Sequence, residues 1–100
     1  MNTKNAPMEV EMLTQERCGQ CEETKSVLQA NDITVTEFSQ QQMYCRDDRT
    51  AVMAALADND CRFPIMHLKG SDHWTGNMQE ILQEVRERGE RDAKVMERVS

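Results

Sequence analysis

No apolar run in this 100-residue chain approaches the length of a membrane span, and the opening stretch Met1-Asn2-Thr3-Lys4-Asn5-Ala6-Pro7 has no apolar segment of the kind that directs secretion. The expectation is a cytoplasmic protein with no membrane attachment. Internal repeats, low-complexity tracts and linker-like stretches are also missing. Residues 1–100 therefore read as one domain, with a core over about 8–88 and a charged C-terminal extension over 89–100. Positive charge is in short supply: 12 Lys and Arg stand against 18 Asp and Glu, a formal net charge of -6. That balance argues against generic nucleic-acid binding and favours partners with basic docking surfaces. The four cysteines are not needed as staples in a domain of this size. In a reducing compartment a cysteine is more often catalytic than structural.

What the chain does have is Cys18-Gly19-Gln20-Cys21, placed where a strand-like pattern hands over to a helical one. Upstream, Met8 to Leu13 (M-E-V-E-M-L) alternates apolar and acidic residues, the period of a half-buried strand. Downstream, Gly19 to Asn31 has no proline and carries Val27, Leu28 and Ala30, which suits a helix. A cysteine at the N-terminus of that helix meets unpaired backbone N–H groups and the positive end of the helix dipole, and both stabilise a thiolate. On a first helical turn the two sulfurs are close enough to close into a disulfide. Cys18, nearer the helix end, would attack a disulfide, and Cys21, on the inward side, would resolve the mixed disulfide. An isolated C-x-x-C is also half of a zinc site or an ordinary structural disulfide, although zinc ribbons usually repeat the pair and Cys45 and Cys61 stand alone.

The remainder reads as further alternation of strand and helix. Ile33 to Phe38 (I-T-V-T-E-F) follows the turn signal Asn31-Asp32 and has strand character. Asp47 to Ala57 holds Ala51, Val52, Ala54, Ala55 and Leu56 at helical spacing, with Asp47 or Asp48 available as a cap. Pro64 to Leu68 is a short apolar run, and Lys69-Gly70-Ser71-Asp72 then turns the chain into His73-Trp74-Thr75. From Asn77 onward Met78, Ile81, Leu82 and Val85 recur at helical spacing. The expected order is β-α-β-α-β-β-α.

That order, the C-x-x-C at the first strand-to-helix junction, the proline opening the third strand and the glycine after the fourth resemble the glutaredoxin branch of the thioredoxin fold, over about residues 8–88. Within that branch Ser71-Asp72-His73-Trp74-Thr75-Gly76 is similar to the D-H-W-[ST]-G stretch of the NrdH-redoxins. The resemblance implies an α/β thioredoxin fold with a four-stranded mixed sheet flanked by helices. It also implies a monomeric dithiol oxidoreductase with no cofactor, taking electrons from thioredoxin reductase and passing them to ribonucleotide reductase. By position it implies Cys18 as nucleophile, Cys21 as resolving thiol and Pro64 as a cis-proline that presents the Phe63 backbone to a substrate strand. On its own residues, Pro64 equally reads as the trans start of a strand. Arg17, Phe63, Pro64, Trp74, Thr75 and Gly76 are the implied substrate contacts.

Glutathione is the alternative electron donor. Several positions depart from the glutathione-using pattern: Gln15 stands where a basic residue is common, Glu16 where proline is common, and Thr75-Gly76-Asn77-Met78-Gln79-Glu80 lacks the usual paired glycines with a polar and acidic pair. Asn77 also replaces the aromatic residue common in NrdH-redoxins, and Arg17 reads either as the missing positive charge or as a solvated side chain. A non-enzymatic module holding zinc or an iron–sulfur cluster is the rival of another class. Trp74 reads as a packing residue or a substrate contact. His67 and His73 read as structural or surface histidines. Cys45 and Cys61 flank the second expected helix, roughly 18 Å apart at the helical rise, too far to bond. Cys61 lies close to Pro64 in sequence and is either a third redox thiol or a reduced bystander.

Overall fold

The alternation along Met8–Leu13 decides how the sheet is built. The computed structural model describes residues 8–99, with side chains over 8–89. The elements in chain order are β1 (Met8–Leu13), α1 (Gly19–Ala30), β2 (Ile33–Phe38), α2 (Gln40–Met43), α3 (Arg49–Asp58), β3 (Ile65–Leu68) and α4 (Met78–Val99). β1 is central in a sheet of order β2-β1-β3, parallel to β2 from Met8↔Ile33 to Leu13↔Phe38 and antiparallel to β3 from Val10↔Leu68 to Leu13↔Ile65.

Side chains one apart on a strand point to opposite faces, and two cores follow. On one face Val10 and Met12 pack with Ile33, Met66 and Leu68, covered by Leu28 of α1 and Ile81 of α4. On the other, Leu13, Phe38 and Ile65 meet Met43 of α2 and Val52 and Leu56 of α3. Val10, Met12, Leu13, Leu28, Val52, Ile65 and Leu68 are fully buried, each worth about 1.5–3 kcal/mol against exposure. Helices thus flank a mixed sheet on both sides. No helix among the described residues is long and apolar enough to cross a membrane.

The sheet has three strands, where a fourth was expected at His73-Trp74-Thr75. Of that strand one bridge remains, Met66↔Thr75, closed by N–H to O bonds of 2.7 and 2.8 Å. An antiparallel ladder would next bond Leu68 to His73. The Leu68 carbonyl instead accepts the Ser71 N–H at 2.9 Å, in a turn whose Gly70 sits at φ 96°. Side chains take two more carbonyls: His67 Nε2 donates to Ser71 O (3.0 Å) and Ser71 Oγ to His73 O (3.3 Å). The turn and these bonds stop the hairpin after one pair.

Two helical details also differ from expectation. The segment after β2 forms α2, a single turn held by a capping box in which Ser39 Oγ accepts from Gln42 N–H and Gln42 Oε1 accepts from Ser39 N–H. The expected second helix is therefore the third, and Cys45 and Cys61 flank α3. Asp48 stands at the N-cap of α3 but makes no side-chain cap bond, because its carboxylate is committed to Arg46. The C-terminal extension continues α4 in its backbone through Val99. The opening stretch 1–7 and Ser100 lie outside the described residues.

Candidate active site

Cys18 is the N-cap of α1. Its backbone is extended (φ -102°, ψ 98°) and its sulfur accepts the Cys21 N–H at 3.1 Å, satisfying one of the orphan donors of the first turn. The preceding Arg17 takes a left-handed φ of 55°, which bends the chain out of β1 and into the helix. Cys18 and Cys21 lie at disulfide-bonding distance with Cα atoms 5.2 Å apart, inside the normal disulfide range.

The two thiols are unequal. Cys21 is 3% exposed and shares the buried stripe of α1 with Thr24 and Leu28, whereas Cys18 is half-buried at the rim. When the pair is reduced, the N–H bond and the helix end both favour charge on the Cys18 sulfur. Burial opposes charge on Cys21. The pair is thus sorted into an outer group suited to attack and an inner group suited to closure.

Cys18 opens onto a groove of about 910 Å3 between the start of α1, the segment before β3 and the loop before α4. Of the residues singled out in the sequence, Cys18, Phe63, Pro64 and Gly76 line this groove, as do Gln15 and Asn77 of the departures from the family patterns, and the Phe63–Pro64 peptide is cis. Cys61, which the sequence offers as a third redox thiol or a reduced bystander, lines it too. Arg17, Trp74 and Thr75 do not. Thr75 instead anchors the loop: its backbone bridges Met66 and its Oγ accepts the Asn77 N–H at 3.0 Å, after which Asn77 Oδ1 takes the Gln79 N–H at the start of α4.

Asn59 and Arg62 of the lining carried no signal in the sequence. A left-handed turn through Asp60 (φ 55°) and Cys61 (φ 56°) brings them there after α3. Asn59 Nδ2 donates to Arg62 O (3.1 Å), and the Arg62 N–H donates to Asn59 O (3.0 Å). The same carboxamide occupies the space in which a side chain at Gly76 would sit. The glycine of the Trp-Thr-Gly stretch is thus explained by close approach.

Trp74 belongs to a second constellation on the α3 face. Glu11 and His67 are cross-strand partners on β1 and β3, and Glu11 Oε1 lies 3.2 Å from His67 Nδ1. Arg46 bonds Glu11 Oε2 (3.0 Å) and grips Asp48 through Nε (2.8 Å) and Nη2 (3.0 Å), while its guanidinium stands 4.4 Å over Phe38 and 5.6 Å from Trp74. Trp74 stacks on His67 at 4.8 Å and meets Phe38 edge-on at 5.8 Å. Hydrogen bonding from Arg46 holds the Asp48 carboxyl below its ordinary range, against a smaller opposing effect of burial. The cluster fixes Trp74, and with it the approach to Thr75 and Gly76. Among the described residues, no three His, Cys, Asp or Glu side chains converge to hold a metal ion.

No protein-family model matches the chain, and no match to it was found among curated proteins or solved structures.

Proposed function

We propose that the protein is a dithiol–disulfide oxidoreductase with a glutaredoxin-like thioredoxin fold, nearest in kind to the NrdH-redoxins. The observation that carries this reading is the unequal pair at the helix end: Cys18 at the N-cap, accepting the Cys21 N–H and facing a groove, with Cys21 buried behind it. The order of elements and the Met66↔Thr75 bridge are compatible with a thioredoxin fold whose fourth strand is reduced to one pair.

In the reaction the Cys18 thiolate attacks one sulfur of a target disulfide. A Cys18–target disulfide forms, the target S–S bond breaks, and the released target thiolate takes a proton. Cys21, deprotonated as it closes, attacks Cys18 Sγ. The Cys18–Cys21 disulfide forms and the second target thiol leaves, so that the target gains two electrons and two protons. Phe63, which lines the groove with Cys18, makes no backbone hydrogen bond outside the strands and helices among the described residues. An extended target segment would pair there by strand addition.

Ribonucleotide reductase is the proposed target and thioredoxin reductase the proposed donor, with glutathione as the competing donor. The test follows NADPH consumption on one disulfide substrate, with thioredoxin reductase or with glutathione plus glutathione reductase, using reductases from several sources. Faster turnover with thioredoxin reductase is expected. A clear preference for glutathione would replace this reading with that of a glutathione-dependent glutaredoxin.

A further inference from the structure

The groove does not share the charge of the molecule around it. The chain carries 18 acidic and 12 basic residues, yet among the described residues no Asp or Glu lines the groove. Glu16, Asp60 and Glu80 neighbour it in sequence and stay out of it. Its polar lining comes largely from the carboxamides of Gln15, Gln20, Asn59, Asn77 and Gln79, and its one charged residue is Arg62.

Arg62 is built into this position. Its N–H and its carbonyl are both bonded to Asn59, so the backbone is fixed. The guanidinium is exposed and makes no hydrogen bond or ion pair among the described residues. Four other cations are held in ion pairs, Lys25 by Glu37, Arg46 by Glu11 and Asp48, Lys69 by Glu9, and Arg88 by Glu84, and Arg49 donates to the Arg46 carbonyl; Arg86, exposed on α4 outside the groove, has no partner among the described residues. Arg17, directly before Cys18, is likewise without an ion pair among the described residues. The groove lining thus holds one positive charge and no negative one, and is rich in amide donors, on a chain of net charge -6.

We infer that Arg62 is a specificity-determining residue and that the groove takes an extended protein segment carrying a carboxylate beside its disulfide cysteine. This rests on the oxidoreductase reading and names its substrate class. A guanidinium recognises carboxylate geometry with paired N–H donors. The amides complement an extended backbone without demanding a second charge. A basic residue beside the target cysteine meets Arg62 unfavourably and is discriminated against.

The experiment uses two oxidised peptides of one sequence, each with an internal disulfide, with either Glu or Lys flanking the cysteines. Turnover by the wild-type protein and by Arg62→Glu, Arg62→Gln and Arg86→Glu is measured. Equilibrium binding of the same peptides is measured on these chains with Cys18 and Cys21 changed to serine. The binding arm reads the charge preference independently of redox chemistry. About a fivefold preference for the Glu peptide is expected at low salt, as for an exposed ion pair. It should shrink as ionic strength rises to about 0.15 M. Arg62→Glu should invert the preference and Arg62→Gln should abolish it. Arg86→Glu, which makes the same change in net charge on α4 outside the groove, should preserve it. A binding preference that is absent in the wild type, survives Arg62→Glu, or disappears equally in Arg86→Glu would overturn the inference. Failure of the wild type to reduce either peptide, with the preference intact, would instead overturn the oxidoreductase reading. Oxidised glutathione, whose carboxylates offer the same chemistry from a tripeptide, serves as a third ligand. Binding it more tightly than the Glu peptide would overturn the assignment to a protein segment.

Discussion

A methyl group at position 76 would collide with the carboxamide of Asn59. Gly76→Ala must therefore displace something, and the end of a flexible, half-buried side chain yields before backbone does. What is lost is the 3.1 Å bond from Asn59 Nδ2 to Arg62 O, worth about 0.5–1.5 kcal/mol. Asn59→Ala loses the same bond by deletion. Each single variant should then cost about 1 kcal/mol, and the double variant about 1 kcal/mol again, because the bond is broken once and the new methyl has room. For a domain of this size that is a fall in Tm of about 4–8 °C per variant. Urea denaturation, followed through the single, half-buried Trp74, gives the midpoints at constant slope. Losses that add to about 2 kcal/mol in the double variant would refute the packing argument.

Other expectations are as direct. Arg46→Ala removes charge-assisted bonds to Glu11 and Asp48 and the cation over Phe38, and should destabilise by about 2 kcal/mol, with a red-shifted Trp74 emission; an unchanged denaturation midpoint would count against the cluster. Because Arg46 lowers the folded-state pKa of Asp48 below the ordinary value of 3.8, the pair stabilises the fold above that pH, and the contribution is lost as pH falls through the folded value. Asp48→Asn should flatten the acid limb of stability against pH, and an unaltered limb in that variant would remove Asp48 from the account. Thr75→Val deletes the acceptor for the Asn77 N–H and should cost about 1 kcal/mol, whereas Thr75→Ser, keeping the hydroxyl, should retain most of it; equal losses would assign the effect to packing.

Much of the scaffold was legible because its signals are local. The alternation in Met8–Leu13 and the β-branched run Ile33–Phe38 mark β1 and β2 at the bounds observed, and the spacing of Met78, Ile81, Leu82 and Val85 marks the start of α4. The turn at α2 was also written locally, as Ser39 and Gln42 of a capping box, but four residues are too few to show a period. The missing fourth strand was not legible. Its residues have strand character, and what stops the ladder is that the Ser71 N–H takes the Leu68 carbonyl and the Ser71 hydroxyl takes the His73 carbonyl, in a turn further held by His67 on the Ser71 carbonyl. In the site, Cys18, Cys21 and Pro64 announce themselves by type and spacing. Asn59 and Arg62 do not, since an Asn after a helix and an isolated Arg are ordinary until left-handed residues at 60 and 61 fold them into the groove. Trp74 carries a strong signal of another kind. It marks the cluster of Glu11, Arg46 and His67 rather than the groove.

The central claim is that Cys18 attacks and Cys21 releases, and trapping on a disulfide substrate tests it most directly. The Cys21→Ser and Cys18→Ser variants, each reduced and mixed with one labelled oxidised peptide, are quenched with acid and resolved by mass. A persistent Cys18–peptide disulfide in Cys21→Ser, with none in Cys18→Ser, is the expected result. Equal capture by both variants, or capture by Cys18→Ser alone, would contradict it.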